Sequence, residues 1–427
     1  MPPSESPHKR PGRIFYGWYI VAGGFCIQLL NGGLLFHAFS AYILPLQAEF
    51  GWSRASLSGA YSMARAESGI LGPLQGWLID RYGPRVSMFI GNLLFGLGFI
   101  LFSRMDSLLT FYLSFALIAL GSSLGGFMPL ATTVTNWFVR RRATALGRTL
   151  VGMGVGGLFI PAIAWSLSTY GWRTTSFTSG LLVLAVALPI SLLMRHKPEQ
   201  YGYLPDGDPP EDEPDATDPD KRRPRRPTDP GFTARQALRT PTFWFLSVGH
   251  AAALLVVGAV LVHQIPHMVT QIGLSQEEAA AYVALLVTVN IAALLLGGYL
   301  GDRIDKRLTM FVCMWMHAIS LFIFAFATTR LEVVAFAVLH GAAWGTRGLL
   351  INAIRADYFG RAAYASITGF NSLIVMIGMT GGPLFSGFLY DLAGDYQFAF
   401  LVLAALSALG SAAIFLARKP TPPTARA

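Results

Sequence analysis

Charge and cysteine are both scarce in this sequence. Of its 427 residues only 13% are charged while 53% are hydrophobic, and the mean hydropathy is +0.50. That balance excludes an ordinary soluble globular domain. The two cysteines, Cys26 and Cys313, fall in apolar runs, which argues against a disulfide framework or a cysteine metal site. No HExxH, nucleotide-binding loop or serine nucleophile elbow stands in a suitable context, so an enzyme is not expected, nor a cofactor or metal. GMGVGG at 152–157 is Gly-rich but follows no strand, and close helix packing explains it. The opening MPPSESPHKRPGR lacks a short apolar core with a small-residue cleavage site and reads as a tail, residues 1–13, leading into a first helix.

What is present is long apolar runs. A bilayer crossing needs about 20 such residues as a helix, and runs occur at about 14–36, 55–79, 86–105, 108–136, 143–168, 174–194, 242–268, 277–300, 308–328, 331–354, 363–388 and 397–417. An open sheet cannot satisfy its backbone in lipid, so the expected fold is all-α, with twelve transmembrane helices. Twenty-six of the 32 Lys and Arg then fall on the side of the N-terminus, and Arg65 and Arg347 remain within helices. The positive-inside rule accordingly puts both termini in the cytoplasm, as expected of a multi-pass protein of the cytoplasmic (inner) membrane. The formal charge of +9 reads as topology and attraction to anionic lipid rather than nucleic-acid binding.

Residues 196–240 abandon the apolar pattern for Pro, Asp, Glu and Arg, which suits a flexible cytoplasmic linker better than a folded unit. It separates a six-helix bundle at 14–195 from a second at 241–418, with a tail at 419–427. The two segments repeat each other. GWLIDRYGPR from Gly76 returns as GYLGDRIDKR from Gly298, and the same offset of 222 pairs Gly147 with Gly369 and Pro161 with Pro383. A constant offset at distant places is the mark of duplicated halves in transporters. Gly83 departs from the pattern, becoming Asp305.

The loop Gly76, Leu78, Asp80, Arg81, Gly83, Arg85 resembles the signature loop of the major facilitator superfamily, and Gly298, Asp302, Arg303 and Arg307 stand where that family carries a degenerate copy. FYGWYIVAGGF, PEQYGYLPDGD and YFGRAAYASITGF are similar to the bacterial branch that groups with monocarboxylate and oxalate–formate porters. A monomer is expected, and the resemblance implies two pseudo-symmetric bundles and alternating access. It also implies that Asp80 meets the start of the eleventh helix and Asp302 that of the fifth, latching the halves together. The first, fourth, seventh and tenth helices would line a central cavity.

An ionisable side chain within a membrane helix costs about 2.5–3.5 kcal/mol and needs a partner or a wet cavity. Arg65 shares a stripe with Ser58, Ser62, Gly69, Gly72 and Gly76, a face suited to protein rather than lipid; it is a candidate for contact with the substrate carboxylate, its alternative being a buried pair in a gating helix. Glu67 lies about 200° round the helix from it, so the two form no same-face pair. Glu67 must find a partner on another helix or hold a proton. Arg347 shares its face with His340 and Trp344; by the resemblance it would offer a planar fork to a carboxylate, and its alternative is a tie between helices. Gln28, Asn31, His250 and Asn290 are weaker cavity candidates, and His263 is a second proton carrier to consider. The eighth helix lacks the Asp and Arg of the monocarboxylate transporters it resembles, with Asn290 its only strongly polar group. The function expected is secondary active transport of a small organic anion, a proton moving with it. An exporter of larger apolar compounds and a non-transporting membrane sensor are the alternatives.

Overall fold

The computed structural model describes residues 14–36, 38–52, 54–208 and 231–421, without the side chains of a few helical positions, Arg65 and Ser62 among them. Among these residues there are helices and turns and no strand. The first half comprises α1 (Tyr16–Asn31), a π turn (Gly32–Phe36), α2 (Phe39–Phe50), α3 (Arg54–Ile70), α4 (Gly72–Tyr82), α5 (Pro84–Phe102), α6 (Leu108–Gly125), α7 (Phe127–Trp137), α8 (Arg142–Gly156) and α9 (Ile160–Leu193). After the linker come α10 (Ala234–Leu238), α11 (Pro241–Thr270), α12 (Gln276–Gly301), α13 (Lys306–Ala325), α14 (Arg330–Phe359), α15 (Tyr364–Ala393) and α16 (Gln397–Leu416).

Twelve crossings result, because several are built from two helical pieces and α9 breaks at Gly171, whose φ of 76° ends one crossing and starts the next. Among the described residues, ten helical stretches are long and apolar enough to span a bilayer. The crossings α3–α4 and α8 pack against the other half, on α15 and α12.

The sequence repeat is a repeat of packing. α1 lies on α8 as α11 lies on α15, and α5 on α6 as α13 on α14. A Cβ on Gly156 would stand 2.5 Å from the Leu29 carbonyl oxygen, and one on Gly378 2.2 Å from that of Ala251. Both positions therefore require glycine, and they are 222 residues apart, as are the two carbonyls they face.

Several boundaries differ from the sequence expectation. The first crossing runs on through the π turn to Phe50, where Gly51 caps it at φ 69°. α14 continues five residues past the expected end, to Phe359, and so takes Arg355 into the helix. The linker's ends are folded: 3-10 turns form at Pro198–Tyr201 and Pro205–Gly207, and Thr233 caps α10. Its acidic and basic blocks lie mostly within 209–230, outside the described residues.

Candidate functional site

Both termini of the described chain and both linker ends share one face, here the terminal face. There the last turn of α4 carries Asp80, whose carboxylate accepts hydrogen bonds from the backbone N–H of Ala365 (3.2 Å) and Ser366 (2.8 Å), in the first turn of α15. Asp302 does the same for α8, accepting from Ala143 (2.8 Å) and Thr144 (2.9 Å). Each carboxylate meets unpaired N–H groups at the positive end of a helix dipole. Donors and acceptors are all related by the offset of 222. The approach depends on Gly76, where a Cβ would lie 2.3 Å from the Ala365 carbonyl oxygen, and on Gly298, 3.0 Å from that of Ala143.

The departure at Gly83 has a local cause. Gly83 adopts φ 87° between α4 and α5, a conformation open to glycine. Asp305 instead sits at φ −61° and caps α13 through the N–H of Leu308 at 2.8 Å. The two turns solve the same problem differently. His196 packs under Gly83, and burial, with Lys197 alongside, pushes its imidazole below the ordinary histidine range.

The arginines of the two motifs stay local. Arg81 and Arg85 are exposed. Arg303 donates to the Tyr299 carbonyl at 3.0 Å and lies over the Tyr299 ring, and Arg307 faces Phe415. Cross-half ion pairing falls to residues the sequence reading placed in loops. Buried Arg142 of the first half pairs with Asp357 of the second, which also holds Lys306 at 2.9 Å. Arg361 donates to the Asn136 carbonyl at 2.6 Å and to Glu199 at 2.9 Å.

Inside the second half, Arg347 is 1% exposed, and none of its three guanidinium nitrogens has a hydrogen-bond partner. It is not open to a cavity in this conformation. Its electrostatic neighbours are Cys313 and His317 on α13, His340 on its own helix and His250 on α11. The His317 and His340 Nδ1 atoms are 3.2 Å apart, and both Nε2 atoms are buried without a partner. Two turns along α14, Arg355 is also buried. It donates to Asn352 Oδ1 and Thr368 Oγ1, each at 3.3 Å, and its Nη2 is unpartnered. The sequence reading missed it because the apolar run stops before it, whereas the helix continues past a charge that has polar neighbours.

The remaining candidates divide. Gln28 is buried with Nε2 unpartnered, and His250, its repeat mate, is half-buried with Nδ1 unpartnered. Trp344 and Asn290 are half-buried. Asn31 is engaged, donating to the Ile27 carbonyl at 3.0 Å and accepting from Ser122 on α6. Both carboxylate oxygens of Glu67 are buried without a partner, whereas the side chain of Arg65 lies outside the described residues. His263 is fully used: Nε2 donates to the Pro383 carbonyl at 2.9 Å, so Nδ1 accepts from the Tyr396 hydroxyl at 3.2 Å. His267, one turn further along α11, donates from its Nε2 to the Phe324 carbonyl at 2.8 Å. Among the described residues no group of three His, Cys, Asp or Glu could hold a metal.

Comparison with known proteins gives the family. The human protein named monocarboxylate transporter 11 is 27% identical over 409 residues, covering 93% of this chain and 82% of that one. The oxalate:formate antiporter of Oxalobacter formigenes is 25% identical over 362 residues, covering 83% and 80%. Among solved structures, the E. coli fucose:proton symporter FucP superposes with a TM-score of 0.74 at 14% identity, covering 95% of this chain and 99% of that one. The human organic anion transporter MFSD10 does so with 0.71 at 13% identity, covering 93% and 99%. Family-model matches to the Major Facilitator Superfamily at residues 24–290 and 264–427 take in both halves, their seam and the interior arginines. The chain belongs to the major facilitator superfamily, and it is a multi-pass membrane transporter, not an enzyme.

Proposed function

We propose that this transporter carries a small, monocarboxylate-like organic anion across the cytoplasmic membrane, with a proton, by alternating access and as a monomer with cytoplasmic termini. The observation that carries the reading is the guanidinium of Arg347, buried and without a hydrogen-bond partner. An isolated buried cation is costly, and the neighbours of this one supply further nitrogens rather than a carboxylate. A ligand carboxylate would satisfy the planar fork of the arginine with two parallel hydrogen bonds. Arg355, with one nitrogen free, provides a second positive group, and His250 stands within electrostatic range of both. Gln28, on α1, and Trp344, on α14, are proposed as further contacts for the same ligand. The relatives named for monocarboxylates and for oxalate and formate support the same substrate class.

Glu67 is the proposed proton carrier. A carboxyl group with both oxygens buried and unpartnered is most stable with a proton bound. His263, with both ring nitrogens committed to helix ties, is set aside for this role. The paired contacts of Asp80 and Asp302 would hold the terminal face closed in the outward-open state and part in the inward-open state.

The alternative is export of larger apolar compounds, although the apolar cavity in the first half, lined by Leu34, Phe39, Tyr42, Phe99, Phe102 and Phe115 among others, is too small to hold one. Counterflow in proteoliposomes with a panel of labelled acids separates the two. The anion reading expects exchange of at least one short-chain carboxylate and its loss by more than about tenfold in Arg347→Gln, consistent with losing a charged hydrogen bond. Exchange of lipophilic dyes with no carboxylate exchange would overturn it.

A further inference from the structure

We propose that the first arm of the linker, residues 198–208, is a working part of the gate, with Asp206 and Glu199 as positioning residues that tie the two halves across the terminal face. The proposal does not depend on the cargo, since every group in it lies outside the interior site.

Asp206 is the anchor. Its side chain is 1% exposed, and its carboxylate accepts from three successive backbone N–H groups, Val139 (3.1 Å), Arg140 (2.9 Å) and Arg141 (3.3 Å). It is also the one described non-glycine residue at positive φ, 61°. An aspartate tolerates that conformation better than most residues, and the backbone contacts offset what strain remains. Arg140 adds a pair with Asp208. Phe15, Trp137 and Tyr203 pack together beneath. Trp137 donates to the Arg195 carbonyl at 2.9 Å and Asn136 to that of His196 at 3.1 Å. A segment composed like a flexible tether is thus held on the α7–α8 turn by directed contacts.

From that anchorage Glu199 reaches the other half. Arg361 lies in the turn between α14 and α15 and forks between Glu199 and the Asn136 carbonyl. Beside it Arg142 crosses in the opposite sense to Asp357. A cation of each half therefore meets a carboxylate held by the other. The linker's second arm sits on the mate of the first turn: the Phe232 N–H donates to the Phe359 carbonyl at 2.8 Å, and the two rings meet edge to face. The turns at 137–141 and 359–363 are repeat mates, and they lead into α8 and α15, whose first N–H groups Asp302 and Asp80 hold. Each arm grips one of the two turns that must separate when the terminal face opens. The latches come in a symmetric pair, whereas this clasp exists once, because there is one linker.

The Arg361 and Glu199 side chains are partly exposed, and a static surface pair would matter little. The distinguishing property is its dependence on conformation. Ser372 packs on Gly72 in the seam between α15 and α4. The test is the rate at which a membrane-impermeant maleimide labels Ser372→Cys from the terminal face, in full-length protein in proteoliposomes with Cys26 and Cys313 replaced by alanine. Glu199→Gln and Arg361→Gln are each expected to raise that rate about 1.5- to 5-fold, the population change that losing such a pair produces. The reversed pair Glu199→Arg with Arg361→Glu returns it toward the parent. Asp206→Asn, which weakens the anchor without touching the pair, raises it as well. An unchanged rate in all single variants overturns the proposal, as does an increase that the reversed pair does not correct.

Discussion

We assign the chemistry of this chain to a few side chains in places where each is costly. Asp80 and Asp302 lie where two helices begin, and their worth is the charge they bring to free N–H groups, about 0.3–2 kcal/mol each. Asp80→Asn keeps an acceptor oxygen and removes that charge. The amount of protein in the membrane is therefore expected to stay near the parent's while transport falls several-fold, as quantitative blotting beside an uptake assay would reveal. A variant absent from the membrane would assign Asp80 to folding instead. At this scale the sequence was readable wherever a residue broke a rule: a charge within an apolar run, or a motif repeated at a fixed offset. Arg142, Arg355 and Arg361 were passed over because they stand at run boundaries, where a basic residue is ordinary. What engages them lies outside their own runs: Asp357 for Arg142, Thr368 for Arg355, and the Asn136 carbonyl for Arg361. Asn31 and His263 show the converse, for polar residues on a plausible face proved to be engaged by neighbouring helices.

Among elements, helix contact here is set by glycine rather than by bulk. Gly378 brings α15 against α11 so closely that a Cβ would meet the Ala251 oxygen at 2.2 Å, and any larger side chain must push the helices apart. Gly378→Leu is expected to cost about 1–3 kcal/mol, the usual range for overpacking, and to lower the thermal midpoint in detergent. Gly348→Ala is the control, because its Cβ would find only Trp344, at 3.9 Å. Equal midpoints for the two variants would mean that the close crossing is not a constraint. Hydropathy placed the elements well but ended them early at charges and at the π turn. The ends of the linker depart from the sequence reading for a related reason: a Pro- and Asp-rich composition says that a segment cannot build a core, not that it cannot be pinned by three backbone hydrogen bonds to one carboxylate.

Taken whole, the protein is two similar six-helix bundles meeting at two glycine-lined seams, α4 on α15 and α8 on α12, closed at the terminal face. The architecture could be read from the sequence because lipid leaves few solutions and duplication writes the same contacts twice. The cargo could not be read in the same way, since it depends on which interior groups are left without partners once all helices are packed. The central claim is that an interior arginine takes a carboxylate while an interior carboxyl takes the proton. Its most direct test is the pH inside proteoliposomes as short-chain acids are added outside at constant external pH, under conditions where passive permeation of the acid is subtracted. The account predicts internal acidification with the parent protein, none with Arg347→Gln, and for Glu67→Gln carboxylate exchange without net acidification. Acidification undiminished by Arg347→Gln, or a parent protein that moves no carboxylate, would contradict it.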